Sequence, residues 1–286
     1  LIRSAKFRII ADFCNGSGIR FSAKFAKYFG MDLISINDTF SGILPHDPEP
    51  RPRSSVQVRS LMRYLKDVHA GFVFNSDMSR TAIVTDSAET LSEEYTFPLV
   101  ADGILKSSGA TVVTNTCTTR TLDEIVKKHN GTVFKTKVGQ AFIIDKMFEL
   151  EAELAGDGSG SVSIKNGAPG FDSYTAVIII LESLARRGCK LSDFVTELPR
   201  YHIVKRKVNC PSAHAYTLLR TVKNKFSDAI LNEEDGFRFD WKNGWIHLRA
   251  AMTEPIIRMI VEWKTKEEAE EMASLVSGMI ERLVAE

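Results

Sequence analysis

Phe7-Arg-Ile-Ile-Ala11-Asp12-Phe-Cys-Asn15-Gly16-Ser17-Gly18 begins as a short apolar run and ends in a glycine-rich turn. A helical pattern follows at once, with Phe21, Phe25 and Phe29 four residues apart and Gly30 closing it. Strand, turn and helix in that order predict one unit of an α/β sheet. Outward from it, Leu33–Ile36 reads as a second strand, then come Pro45, Pro48, Pro50 and Pro52, and then a helix over Val58–Leu65. Gly71–Phe74 and Thr81–Thr85 read as further strands, and this alternation favours a mostly parallel sheet.

The rhythm repeats. A strand is expected at Thr111–Thr114, a helix at Thr121–His129 closed by Asn130-Gly131, and a strand at Thr132–Phe134. Ile143, Met147, Leu150 and Leu154 fall on one helical face, which predicts a helix running into a loop at Ala155-Gly-Asp-Gly-Ser-Gly160. Asp172 is placed to cap a helix holding Ala176–Leu184. Beyond Tyr201 the order changes to a strand at His202–Val208, a helix, three strand-like runs near Phe237, Trp245 and Ile257, and a last helix. The fold expected is therefore α/β: two consecutive α/β sandwich domains with mostly parallel sheets, then a smaller α+β C-terminal domain. Boundaries fall near Lys106 and Ile203.

A chain of 286 residues, 44% of them hydrophobic, is long enough for two or three domains without metal or disulfide staples. Lys and Arg total 37 against 36 Asp and Glu, and a formal charge of +1 gives no general attraction to nucleic acid or acidic membrane. Arg51, Arg53, Arg59 and Arg63 form a local basic stretch, but without interleaved aromatics it reads as a solvated helix face. The longest apolar run, Ala176–Leu181, is far short of the ~20 residues that span a bilayer. The four cysteines show no Cys-x-x-Cys spacing, so reduced thiols and a cytoplasmic setting are expected. The start, Leu-Ile-Arg-Ser-Ala-Lys, has neither an initiator Met nor a signal-peptide core, and reads as part of something longer.

Four loops carry the chemistry. Asn75-Ser-Asp77-Met-Ser79-Arg80 sets side-chain oxygens at alternate positions of a turn, where they could converge on a hard cation such as Mg²⁺. Lys137-Val-Gly139-Gln140 joins a strand to a helix, and Gly139 lets a ligand approach the backbone. Asp157 and Ser159, in Gly156–Gly160, suit hydrogen bonding to sugar hydroxyls. Arg249-Ala-Ala-Met-Thr253-Glu254-Pro-Ile-Ile-Arg258 offers two guanidinium forks and a hydroxyl to a phosphate. Each loop taken alone also reads as an ordinary polar turn or linker.

In order, the loops resemble those of the α-D-phosphohexomutases, the phosphomannomutase, phosphoglucomutase and phosphoglucosamine mutase family. Asp12-x-x-Asn15-Gly16-x-Gly18 resembles the opening of that family's second domain, and Leu44–Pro50 its Phe-Pro-x-His-x-Pro-Glu-Pro stretch. Asn75–Arg80 stands in the place of the Asp-Gly-Asp-x-Asp-Arg metal loop, and Thr136-Lys-Val-Gly139 in that of a Thr-x-x-Gly segment. Gly156–Gly160 is similar to Gly-Glu-x-Ser-Gly, and Arg249–Arg258 to Arg-x-Ser-x-Thr-Glu-Pro-x-x-Arg.

The resemblance implies that residues 1–105, 106–203 and 204–286 are the second, third and fourth of four domains. It implies a first domain, upstream or separate, with a phosphorylated serine in Ser-His-Asn-Pro, a tetrapeptide that does not occur here. Phosphoryl exchange between that serine and a hexose phosphate is the family's chemistry, so this chain is expected to be inactive alone. Arg80 would act near the transferred phosphate. Lys137, Gly139, Asp157, Ser159, Arg249, Thr253, Glu254 and Arg258 would bind substrate, and Asp77, Asn75 and Ser79 would face Mg²⁺.

The departures bear on each of those roles. Asn75 and Ser79 replace aspartates, which leaves Asp77 as the only carboxylate and predicts a weak or empty metal site. Asp157 is a methylene shorter than Glu, Ser161 and Gln140 stand where His is frequent, and Ala251 and Met252 replace a Ser and a small residue. Two readings follow: a phosphohexomutase that works only with its serine domain, or a non-catalytic phosphosugar-binding or regulatory subunit.

Overall fold

A computed structural model describes residues 1–105, 109–251 and 253–285. The boundary expected at Lys106 and the loop substitution at Met252 lie outside the described residues. By contact the chain forms two compact units, residues 1–134 with 140–199, and residues 135–139 with 200–286. No helix among the described residues is long and apolar enough to cross a membrane.

The first unit begins with α1 (Ile2–Ala5), β1 (Arg8–Asp12), α2 (Ile19–Phe29), β2 (Asp32–Ile36), α3 (Val56–Tyr64), β3 (Ala70–Phe74), β4 (Thr81–Thr85) and α4 (Thr96–Ile104). Its first sheet has the order β2-β1-β3-β4, with the first three strands parallel and β4 antiparallel to β3. All five residues of β3 and of β4 are buried: β3 lies inside the sheet, and β4, at its edge, is covered by Leu91, whose N–H donates to Ile83 O at 3.0 Å, and by Gly160, whose O accepts Thr81 N–H at 3.0 Å. Gly30, with φ 65°, ends α2 where the sequence predicts, because a left-handed residue there costs glycine nothing.

A second sheet follows, built from β5 (Thr111–Asn115), α5 (Arg120–Lys128), β6 (Thr132–Thr136), α6 (Gln140–Glu149), β7 (Leu154–Asp157) and β8 (Ser161–Ile164) in the order β6-β5-β7-β8. Then come α7 (Ser173–Arg187) and α8 (Leu191–Thr196). Phe72, Phe74, Phe97, Val112, Leu122, Ile180 and Phe194 belong to one continuous apolar core, so the two sheets and α4, α5, α7 and α8 are held by shared burial.

The run from Ile143 to Gly160 differs from expectation. The helix ends at Glu149, and Leu154 is the first residue of β7, not the last of the helical face. The chain breaks at Glu151 (φ 48°), Ala152 N–H closes back on Met147 O at 2.9 Å, and Leu154 pairs with Val112 of β5. Gly156 and Asp157 are therefore strand residues, and the turn is confined to Gly158–Gly160.

The second unit is antiparallel: β9 (His202–Asn209), α9 (Ser212–Lys223), β10 (Ile230–Asn232), β11 (Phe237–Asp240), β12 (Gly244–Ala250), β13 (Ile256–Trp263) and α10 (Lys266–Ala285). The sheet runs β10-β11-β12-β13-β9, and α9 and α10 bury Leu219, Val222, Val276 and Ile280 against its Phe239, Ile246 and Val261.

Candidate functional site

The loops of the first unit lie at the carboxyl ends of parallel strands, where open α/β sheets present their binding crevices. The glycine-rich turn after β1 is a buttress. Buried Asp12 accepts Cys14 N–H at 2.9 Å on Oδ1, and Asn37 Nδ2 at 2.8 Å on Oδ2, where His46 Nε2 also lies at 3.1 Å. A Cβ on Gly16 would sit 2.2 Å from Ser76 O, while Ser17 N–H donates to that same oxygen at 2.8 Å. Glycine is needed so that this turn can support the next loop at backbone distance.

That next loop, Asn75–Arg80, is closed by its own side chains. Asn75 Oδ1 accepts Arg80 N–H at 2.9 Å, which fixes the amide's orientation. Its Nδ2 then donates inward to Asp77 Oδ1 at 2.6 Å and to Ser79 Oγ at 2.9 Å. Ser79 N–H also donates to Asp77 Oδ1, at 2.9 Å. Burial raises the Asp77 pKa, but hydrogen bonds from Ser79 and Asn75 and the nearby Arg80 charge outweigh it and hold the group below the ordinary carboxylate range. Arg80 is itself engaged: Nη1 lies 2.6 and 2.5 Å from the two carboxylate oxygens of Glu49, in the proline-rich stretch. Sequence reasoning missed Glu49, because no local spacing connects residues 31 positions apart.

The turn Gly158–Gly160 lies beside this loop. Gly160 O accepts the N–H of Thr81, the residue after Arg80, at 3.0 Å. Gly160 has φ 89°, and a Cβ there would meet Thr81 O at 2.2 Å. Asp157 Oδ1 accepts both Ser159 N–H (2.9 Å) and Ser159 Oγ–H (2.5 Å), so the two predicted sugar-facing groups are bonded to each other. Glu94, buried and also missed, packs against Gly158 and accepts Thr119 N–H at 3.2 Å.

In the second unit, Arg249 on β12 and Arg258 on β13 are direct cross-strand partners, so their side chains leave the same face. They line a cavity of about 440 Å³ with Thr253, Ala251, Asp235 and Tyr216. Asp235 Oδ2 accepts Val138 N–H at 2.8 Å and lies 3.3 Å from Arg249 Nη1, which ties the Lys137–Gly139 segment to the cavity wall. Lys137 is exposed. Glu254 does not line the cavity; it pairs with Lys207 Nζ at 3.0 Å and stands 3.9 Å from Arg258. Ala251 brings no side-chain donor to the cavity, and its N–H is taken by Ile256 O at 2.9 Å. Burial drives His247 down to about 4, so it is neutral, and its Nε2 lies 2.5 Å from Asp235 O, within reach to donate.

A family profile described as "Phosphoglucomutase/phosphomannomutase, alpha/beta/alpha domain III" matches residues 92–201. A Thermococcus kodakarensis phosphoglucomutase/phosphomannomutase is 27% identical over 278 residues, covering 96% of this chain and 60% of that protein. The chain belongs to the α-D-phosphohexomutase family. A phosphomannomutase of Methanocaldococcus jannaschii is 28% identical over 280 residues, covering 95% of this chain and 62% of its own. The phosphohexomutase fold is shared with a Burkholderia thailandensis family protein at TM-score 0.85, with 23% identity and coverage of 96% and 60% of the two chains. The chain thus spans about three-fifths of the length of these relatives.

An Aspergillus fumigatus N-acetylphosphoglucosamine mutase with the same fold (TM-score 0.65, 15% identity, coverage 96% and 66%) has been crystallised with GlcNAc-6P and magnesium. The residues of this chain do not fit that metal at Asn75–Arg80. The Asn75 amide directs two N–H bonds at the oxygens that would have to converge on the ion. Among the described residues no group of three or more His, Cys, Asp or Glu could hold a metal.

Proposed function

We propose that the chain is a phosphohexomutase-family, hexose-phosphate-binding protein, with domains at 1–105, 106–203 and 204–286, that does not turn over by itself. The observation that carries this reading is the Arg249/Arg258 pair, direct cross-strand partners that line one cavity with Thr253. Like charges in that register repel each other, and a phosphoryl dianion reverses the sign of the interaction while filling both forks. Within the first unit Asp157 and Ser159 are the groups for sugar hydroxyls; within the second, Lys137 and Gly139 flank Val138, which is bonded to Asp235 of the cavity, and Glu254 follows Thr253 in the phosphate loop.

Arg80, turned to the Glu49 carboxylate, is the residue for the transferred phosphoryl group. Phosphoryl exchange needs the serine of an upstream or separate domain. The internally bonded Asn75–Asp77–Ser79 loop favours a second reading, a non-catalytic phosphosugar-binding or regulatory subunit, because it is complete without Mg²⁺.

Calorimetry of the 286-residue chain with glucose 1-phosphate and mannose 1-phosphate, each in EDTA and in Mg²⁺, tests the reading. Binding of at least one sugar phosphate at an affinity that Mg²⁺ does not change supports it. No heat with either sugar contradicts it.

A further inference from the structure

The cavity of the second unit holds a carboxylate among its arginines. Asp235 is aimed there by the fold: the next residue, Gly236, has φ 79°, and a Cβ on it would meet Leu248 O at 2.3 Å. Only glycine lets the chain turn this tightly against β12. His247, buried in β12, lies within hydrogen-bond reach of the Asp235 carbonyl at 2.5 Å and pins the turn from below. The Asp235 side chain is 16% exposed, and a single oxygen, Oδ2, faces both Arg249 Nη1 and Val138 N–H. A carboxylate at this place repels the very ligand that the two arginines attract, so it needs a reason to be there.

We infer that Asp235 is the built-in counter-ion of the anion cavity. It neutralises Arg249 in the empty state, and an entering phosphate takes Arg249 away from it. Oδ2 is then left with Val138 N–H as its remaining donor, and that hydrogen bond strengthens. Phosphate entry is thereby coupled to stiffening of the Lys137-Val-Gly139 segment. This rests on the anion-binding reading of the cavity and adds to it a residue that sets affinity and passes on occupancy.

The test uses the full chain and inorganic phosphate in a chloride-poor buffer. Asp235→Asn keeps an oxygen to accept from Val138 N–H but removes the charge, so phosphate affinity should rise about tenfold. Asp235→Ala removes the acceptor. In the parent chain phosphate should slow hydrogen exchange at the Val138 amide, and in Asp235→Ala that slowing should disappear. Equal or weaker phosphate binding by Asp235→Asn, or a Val138 amide indifferent to phosphate in the parent chain, overturns the inference. If neither the parent chain nor Asp235→Asn binds phosphate, the anion-binding reading itself fails, and the inference fails with it.

Discussion

At the scale of single residues, Asn75 departs furthest from what a metal loop requires. An aspartate there would add an acceptor to the loop; the amide adds two donors, and these satisfy Asp77 and Ser79. Asn75→Asp with Ser79→Asp should replace those internal bonds by mutual repulsion of three carboxylates and raise the affinity for Mg²⁺ above that of the parent chain. Titration calorimetry checks this, and a double variant still indifferent to Mg²⁺ counts against the account of the loop. Gly160 offers a second residue-level test. Its positive φ and the 2.2 Å approach to Thr81 O leave no room for a side chain, so Gly160→Ala should destabilise the first unit by about 3 kcal/mol or more. Much of the site was legible as residue types: Arg249, Thr253 and Arg258 come together around one cavity. Which partner each side chain takes was not legible, because Glu49 lies 31 positions from Arg80, and Asp235 lies 97 from Val138 and 14 from Arg249, beyond any local spacing.

At the scale of elements, periodicity and caps carried far. α7 begins where Asp172 predicts, with Oδ1 accepting Tyr174 N–H at 3.0 Å and Oδ2 bonded by Thr175 Oγ1 at 2.5 Å. Asp172→Ala should cost about 1 kcal/mol, read as a lower urea midpoint in far-ultraviolet circular dichroism. The β7–β8 hairpin stayed hidden for a physical reason. Leu-Ala-Gly-Asp has little intrinsic strand preference and is held extended by its neighbours β5 and β8. Gly156 is required there, since a Cβ would meet Ser161 O at 2.3 Å. α4 was also missed. Its Thr-Phe-Pro start hides a helix whose Pro98 lies in the first turn, where proline is tolerated, and whose first seven residues are all buried.

At the scale of the whole molecule, the two units can be followed separately. All three tryptophans, Trp241, Trp245 and Trp263, belong to the second unit, so their fluorescence reports its unfolding alone. That unit should weaken in acid. Burial, with smaller effects from the Arg238 and Arg249 charges and an opposing pull from Asp235, lowers His247 from 6.5 to about 4. The unfolded chain therefore binds more protons between those values, and stability falls as pH drops from 6.5, by about 3 kcal/mol in all by pH 4. His247→Gln should flatten that dependence in urea titrations followed by tryptophan fluorescence. In the first unit the sign is opposite. His46 is raised by its hydrogen bond to Asp12, so its contribution is complete below 6.5 and is lost as pH climbs through the raised value.

A crystal of the chain grown with glucose 1-phosphate and EDTA tests the central claim most directly. The phosphoryl group is expected in the second unit's cavity, within hydrogen-bond distance of the Arg249 and Arg258 guanidinium groups and Thr253 Oγ1. Phosphoryl density elsewhere, with Arg249 still turned to Asp235, would contradict it.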